Sequence, residues 1–338
     1  MIWRDLRDED LISCLNVDPS RIGAELAGYD RAIEAWKHII GSCSFQSAVI
    51  EAEPPVAGRR IVAFGASVFV TRAFADDEIS NPRPGLNARI IASVAAGQSV
   101  VLSDDQLRRA NTDGGLDLVV LYPQWRKGIL SVEQISEVKT LLASAFLEAH
   151  RGFRLNRFIT ESLDEVERRS YAEASGTFRT VSDFAGFYAE HPDTIWTTGR
   201  SLAVVTREEA FCVPWHIVAI LFQYREPVLG LADSDQRLLI AALNGLTDEE
   251  LAHSLNMPLS AVKKRWRSLF ERASAHPHLF PELSDGIFDP GRGWKKRQYI
   301  LTYVREHPEE LRPFHHGDRR RKPIPVRSRS LGWAAESG

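Results

Sequence analysis

The spacing of hydrophobic residues changes near the middle of the chain. In the first half, runs rich in β-branched and aromatic residues predict strands at 47–51, 60–71, 99–102, 116–122 and 153–160. Helical periodicity in the same half predicts helices at 21–40, 88–95 and 131–150, and a further helix capped by Ser162. Residues 75–86 carry Asp, Pro and Gly and are predicted to form an exposed loop. Together these elements predict an α+β domain around a mixed sheet.

The second half shows helical periodicity almost throughout. Helices are predicted at 208–224, 233–245, 247–256, 260–273 and 293–307. Thr247 and Glu250 have the spacing of a capping box, Pro258 ends that helix, and Ser260 is predicted to cap the next one. An all-α domain with two helices joined by a tight turn at 246–273 is therefore predicted.

These patterns divide the chain into four parts. Residues 1–188 are predicted to form the α/β domain, 189–206 a linker with one short strand at 202–205, 207–316 the helical domain, and 317–338 a disordered basic tail.

The charge distribution separates the two halves further. The whole chain has a formal net charge of −3, but residues 260–275 carry five basic side chains against one acidic one. Residues 291–300 add four basic side chains and no acidic one, and residues 317–330 add six against one. This asymmetry indicates one surface that faces a polyanion, attached to a more acidic domain.

Cysteine content and hydropathy indicate the compartment. Cys14, Cys43 and Cys212 are odd in number and widely spaced, which predicts reduced, buried thiols rather than disulfides or a metal site. No run of apolar residues is long enough for a membrane span, and the first ten residues are too charged for a signal peptide. A cytoplasmic protein with no membrane partner is expected.

The run from Leu231 to Ala273 resembles a LuxR-type helix-turn-helix. The matching residues are Gly245-Leu246-Thr247, Glu250-Leu251-Ala252 and Ser260-Ala261-Val262-Lys263. The resemblance implies a bacterial, homodimeric transcription regulator that binds double-stranded DNA, and an adaptor for RNA polymerase is an alternative. The residues expected to contact DNA are Ser260, Lys263, Lys264, Arg265 and Arg267, with Lys295, Lys296 and Arg297 as a second basic patch.

The run from Leu118 to Phe178 resembles the second half of the GNAT acyltransferase fold. The matching pieces are LVVLYPQWRKGILS, the helix from Ser131, the strand FRLNRFIT, and the segment from Tyr171 to Phe178. In that family the start of the helix binds the coenzyme pyrophosphate, which would place Arg126, Lys127 and Gly128 near it. Only one glycine is present there, which favours a sensor or dimerisation module with no cofactor. The alternative is an acyl-CoA-dependent N-acyltransferase, in which Tyr171 would be the general acid.

Overall fold

An eight-stranded mixed sheet occupies the first 206 residues in a computed structural model of the protein. The structure describes residues 1–17, 29–121, 123–162, 178–191, 201–212, 217–284 and 293–315. The strand order is β1-β2-β3-β4-β6-β8-β7, and β5 pairs with β3. The strands are β1 Ile2–Arg4, β2 Phe45–Val56, β3 Arg59–Val70, β4 Leu116–Val120, β5 Gln124–Trp125, β6 Leu155–Ser162, β7 Arg179–Asp183 and β8 Ser201–Thr206.

Helices cover both faces of this sheet and make up the rest of the described chain. In the first part they are α1 Leu11–Leu15, α2 Tyr29–Ile40, α3 Arg72–Ser80, α4 Leu86–Ala95, α5 Asp104–Thr112, α6 Val132–His150 and α7 Ala185–Glu190. After β8 they are α8 Arg207–Cys212, α9 Ile217–Phe222, α10 Asp233–Leu243, α11 Asp248–Ser254, α12 Leu259–Ser274, α13 Pro281–Ser284 and α14 Gly293–Glu306. None of the helices in the described ranges is long and apolar enough to cross a membrane.

The sheet separates two faces with different helices. One face carries residues of α1, α2 and α4 packed on alternate positions of β3, including Phe64, Ala66 and Val68. The other face carries α6, whose Val138 packs with Val62 and Ala63 near the end of the sheet. The helices after β8 have a core of their own, built around Leu238, Trp266 and Ile300. The α+β architecture predicted for the first part is therefore confirmed.

Several predicted elements are confirmed, and their local signals explain why. Strand β3 is buried on both faces, as its continuous apolar run predicts. Helix α6 begins after Ser131, whose side chain and Gln134 form a reciprocal capping box. Helix α11 begins after Thr247 with the predicted capping box to Glu250.

Other predictions about the first part are wrong. The predicted loop at 75–86 contains most of α3, which Thr71 caps by accepting a hydrogen bond from the Phe74 N–H. Residues 99–102 make only an isolated bridge between Val101 and Val70. Ser162 is the last residue of β6, and its hydroxyl is hydrogen-bonded to that of Ser201 in the neighbouring strand. Residues 163–177, where the following helix was predicted, lie outside the described residues.

Further corrections concern the later part. The strand predicted at 202–205 is confirmed as β8, but it lies in the sheet between β6 and β7, so this end of the predicted linker 189–206 belongs to the sheet. The domain limits stay a prediction. Pro258, and not Ser260, occupies the N-cap of α12, and no side chain caps that helix. Of the three cysteines only Cys14 is buried, whereas Cys43 and Cys212 are exposed. The predicted tail at 317–338 lies outside the described residues.

The later helices are joined to the sheet through the end of α6. A Cβ atom added at Gly152, whose φ is +84°, would lie 2.4 Å from the Glu309 backbone nitrogen. Nearby, the Arg312 guanidinium donates from Nε to the Arg151 carbonyl at 2.8 Å and from Nη2 to the Glu148 carbonyl at 2.7 Å. These two carbonyls belong to the C-terminal turn of α6, where a cation is favoured. Residues 308–312 therefore complete the end of that helix.

Replacing Gly152 with alanine should weaken the packing of residues 308–312 against the end of α6. The substitution adds a methyl group where the Glu309 backbone lies and also imposes the positive φ on a residue with a Cβ. Gly97→Ala is the matched control, because its φ is +75° and nothing lies within 4 Å of the added Cβ. We expect Gly97→Ala to cost about 1 kcal/mol of unfolding free energy, and Gly152→Ala at least twice that, in denaturant titrations. Equal losses would contradict the close docking.

A buried histidine couples the sheet to α6. His150 is 1% exposed; its Nδ1 donates to the Phe146 carbonyl at 2.7 Å, so Nε2 accepts from the Ser67 hydroxyl at 2.9 Å. Burial lowers the pKa of His150 to about 3, because the charged imidazolium would lose its hydration. The ring is therefore neutral in the folded protein, and the pair is a core contact with no access from solvent.

This histidine should make stability fall in mild acid. Because its pKa is lowered on folding, the unfolded chain binds the proton first as the pH drops below about 6.5, and stability is lost from there down to about pH 3. Between pH 7.5 and 5.5 we expect His150 to account for a loss of about 1.4 kcal/mol in urea unfolding. His150→Gln should remove that part of the slope, whereas substitution of the exposed His38 should leave it. An unchanged slope in His150→Gln would be incompatible with a neutral buried ring.

Candidate functional site

The only parallel pair among the described strands separates at its carboxyl end. Strands β4 and β6 pair in parallel as far as Val120 and Thr160. Leu121 still donates to Ala66 of β3, but the next pairing is between Gln124 and Phe64. From Leu121 to Gln124 the chain advances three positions, whereas from Ala66 to Phe64 it advances two, so the register shifts by one residue, as at a β-bulge. A bulge bends its strand, and here it carries the chain along β3 instead of along β6.

Backbone pairing between the two strands therefore ends at Val120 and Thr160, and we call the interval beyond these residues the gap. On one side of it, Gln124 and Trp125 of β5 continue with β3. On the other side, Glu161 and Ser162 of β6 continue with β8 only. Strand edges that leave each other expose backbone groups that an extended ligand with amide groups can pair with. Crevices at the carboxyl ends of parallel strands are also where α/β proteins commonly bind ligands.

The start of α4 closes one side of this gap. The Glu161 carboxylate accepts hydrogen bonds from the Gly85 N–H at 2.7 Å and from the Leu86 N–H at 2.8 Å. Asn87 follows, and its side-chain amide donates to the Leu121 carbonyl at the bulge. The carboxylate thus holds a helix N-terminus in place, as expected for an anion at that end. Glu161 is consequently a positioning residue for the gap.

Two buried amide side chains at the gap have polar atoms without a hydrogen-bond partner among the described residues. Gln124 is 1% exposed, and neither its Nε2 nor its Oε1 has a hydrogen-bond partner among the described residues. The Oδ1 of Asn87, which is 3% exposed, lacks one as well. A buried amide without partners costs free energy, so its retention at a gap points to a bound polar molecule. Gln124 lies opposite Phe64 and so faces the α1 side of the sheet.

The segment from Arg126 to Ser131, which the GNAT resemblance assigns to the coenzyme phosphates, is built differently. At the start of α6, the N–H of Ser131 donates to the Gln134 side chain and the N–H of Gln134 donates to Ser131 Oγ, at 2.9 and 3.3 Å. The Glu133 carboxylate accepts from the Ser131 hydroxyl at 2.7 Å, and this bond lowers its pKa. The helix end thus already has a negative charge of its own, so it does not fit a pyrophosphate.

The three residues predicted to lie near those phosphates have different surroundings in the structure. Lys127 Nζ lies 5.5 Å from the centre of the Trp125 ring. Arg126 donates from Nε to the Ile61 carbonyl at 3.0 Å, and Gly128 has open space around it. Leu130 is buried against α6, so it packs inward rather than crowding a ligand. Tyr171, the predicted general acid, lies outside the described residues.

Among the residues predicted to bind DNA, two arginines are engaged within the protein. Arg265 donates to Ser234 Oγ at 2.5 Å and to the buried Asp235 at 2.9 Å. Arg297 donates to Asp248 at 3.0 Å and lies 4.8 Å from the centre of the Trp266 ring. Both side chains therefore connect the helices of the later part to one another. The residues predicted for DNA contact that are exposed are Ser260, Lys263, Lys264, Arg267 and Lys295, and Lys296 is partly buried.

The comparisons with known proteins concern the fold. No protein-family model and no curated protein matches the sequence. The solved structure of FeeM, an N-acyl amino acid synthase from uncultured soil microbes, matches with a TM-score of 0.30 and 10% sequence identity, over 61% of this chain and 95% of that chain. The N-terminal part has a mixed sheet with helices on both faces. The match covers fold alone and assigns no residue of this chain a role.

The prediction of a transcription regulator is wrong. The solved structure that matches is that of an N-acyl amino acid synthase, and nothing in the comparisons supports a LuxR-type regulator or DNA binding. The prediction of DNA binding depended in part on the basic residues of α12. Part of that charge, at Arg265, instead neutralises the buried Asp235. Within the described part of the chain, no group of His, Cys, Asp and Glu side chains is arranged to hold a metal ion.

Removing the unpaired amide of Gln124 should not lower the stability of the ligand-free protein. Gln124→Met keeps the volume of the side chain and removes two unbonded polar atoms, so the ligand-free protein should be as stable as wild type or more stable, by up to about 2 kcal/mol. Gln236→Met is the matched control, because Gln236 is equally buried but its Nε2 donates to the carbonyls of Glu310 and Arg312. That variant should lose stability in thermal unfolding. If both variants lose stability alike, Gln124 has partners after all.

Proposed function

We propose that the protein is an N-acyltransferase that takes its acyl group from a thioester donor, acyl-CoA being the donor to test. The observation that supports this most is the gap between β4 and β6, with the buried, unpaired amide of Gln124 beside it. The gap suits the extended, amide-bearing arm of such a donor, because the two separating strands offer edges on both sides. The helix end at Ser131 does not fit the donor's phosphates, so we assign them no residues.

Acyl transfer to an amine needs few groups from the protein. The amine nitrogen attacks the thioester carbonyl carbon, the new C–N bond forms, the C–S bond breaks, and the amine proton leaves with the thiol or with solvent. Negative charge develops on the carbonyl oxygen, where a fixed N–H donor lowers the barrier. The Gln124 Nε2 is such a donor with no other partner. It is held in a water-poor, buried position, where a hydrogen bond to developing charge is strong.

The surrounding residues would serve orientation rather than chemistry. Both carboxylate oxygens of Glu161 accept hydrogen bonds from backbone N–H groups at the N-terminus of α4. These bonds fix the start of α4, and with it Asn87, against the Leu121 carbonyl. The bulge and α4 therefore keep one shape, and the gap is formed before a ligand binds. Preformed geometry of this kind reduces the entropy lost on binding.

The proposal is tested by calorimetry and by thiol release. Acetyl-CoA and longer acyl-CoAs should bind stoichiometrically, and a mixture of amines should accelerate the release of free thiol from the donor. Gln124→Met should reduce kcat/KM by roughly 10²-fold, as expected for the loss of one N–H donor to the oxyanion, without loss of stability. Gln46→Met, at a partly buried position of β2 away from the gap, is the control. No heat of binding and no thiol release with any donor would refute the proposal.

A further inference from the structure

A pocket rich in arginine lies on the α1 face of the sheet, beside the candidate site. It has a volume of about 500 Å³ and is lined by five arginines and three acidic residues from β1, α1, the β2–β3 hairpin and the segment after β5. We call it the arginine pocket. In a chain whose formal net charge is −3, a cavity with this excess of positive charge requires an explanation.

Most of the charges in the arginine pocket neutralise one another. Arg4 donates to Asp10 at 2.6 Å and to Glu51 at 2.5 Å. Arg60 approaches the second oxygen of Glu51 at 3.1 Å. Arg7 lies only 3.8 Å from Glu9, and both side chains are exposed. Each of the three acidic residues of the pocket is therefore already paired with an arginine.

Two arginines of the pocket are left over. Arg126 is half-buried, and its guanidinium donates from Nε to the Ile61 carbonyl, whereas neither Nη atom meets a carboxylate in the described part of the chain. The exposed Arg59 does not pair with a carboxylate of the described residues either. Burial lowers the pKa of Arg126, and the positive charge of Arg59 lowers it further. A partly desolvated cation beside a second cation is unfavourable unless an anion compensates it.

The position of Arg126 connects this pocket to the candidate site. Arg126 donates its backbone N–H to Val62, and Gln124, two residues earlier, lies opposite Phe64. Side chains two residues apart on a strand point to the same face, roughly 6.7 Å from each other. Trp125, between them, faces α6 on the other side of the sheet. The pocket and the Gln124 side chain therefore lie on the same face of the sheet, opposite the start of α6.

We infer that the arginine pocket binds the anionic group of the acyl acceptor, so that the acceptor is a small amine carrying a carboxylate or a phosphate. With the anion between Arg126 and Arg59, a short molecule reaches its amine toward Gln124. Paired guanidinium groups suit oxyanions of either kind, because their N–H donors are arranged for two oxygens at once. This inference rests on the proposed function for the identity of the ligand, but the anion site can be tested without it.

The first experiment tests the anion site alone. Inorganic phosphate and acetate are titrated at constant ionic strength into wild type, Arg126→Gln and Lys127→Gln, and the midpoint of thermal unfolding is followed. Wild type and Lys127→Gln should show a saturable rise with at least one anion, and Arg126→Gln should need at least about 10-fold more of it. Lys127→Gln removes the same charge from the neighbouring exposed residue. An absent or equal response in wild type and Arg126→Gln overturns the inference.

The second experiment identifies the class of acceptor. Matched pairs differing only in the anion are compared by calorimetry: L-phenylalanine with phenethylamine, and 2-aminoethyl phosphate with ethylamine. The anionic member of at least one pair should bind at least about 10-fold more tightly, and Arg126→Gln should abolish the difference. Which pair responds tells carboxylate from phosphate. Loss of coenzyme A binding in Arg126→Gln with no preference within either pair would reassign the pocket to the donor and overturn the inference.

The two proposals fail in different ways. If the protein prefers the anionic amines but binds no acyl-CoA, the proposed acyltransferase function is refuted and the anion site is supported. If it binds and turns over acyl-CoA but shows no preference for anionic amines, the acyltransferase function is supported and the anion site is refuted.

Discussion

The one-residue bulge between Leu121 and Gln124 determines where this protein can bind anything along its central sheet. Without it, β4 and β6 would stay paired, and the sheet would be continuous across its middle. With it, the line of β4 turns along β3, and the buried amide of Gln124 is left without a hydrogen-bond partner among the described residues. The other parts of the candidate site follow from this bend. The start of α4 lies against the bulge, and Arg126 is brought to the α1 face two residues after Gln124.

Much of the fold could be predicted because its signals are local. The apolar run of β3 and the capping box of α6 each lie within one short segment, and the structure has both elements where the sequence places them. Helix α3 was missed because its Asp76-Asp77-Glu78 run is typical of a loop. Glu78 is in fact 1% exposed and hydrogen-bonded to Arg89, eleven residues away, which no local pattern indicates.

The candidate site could not be predicted for the same reason. Glu161 meets Gly85 across 76 positions of the chain, and Asn87 meets Leu121 across 34. The only local signal was Pro123, since a proline directly after a strand interrupts pairing and often marks a bulge. The basic residues of α12 led to a wrong prediction, that of a surface that binds DNA. A cluster of cations indicates a polyanion only when no buried carboxylate accounts for it, and Asp235 accounts for Arg265.

The docking of Arg312 onto α6 has a consequence for the order of events during synthesis. The carbonyls of Glu148 and Arg151 receive their hydrogen bonds from a residue made 161 to 164 positions later. Domains usually fold as they emerge from the ribosome, N-terminal part first. Here the sheet cannot complete the end of its longest described helix until the chain is synthesised beyond the last helices. The sheet and the later helices therefore complete their packing against each other only after the chain has been synthesised past Arg312.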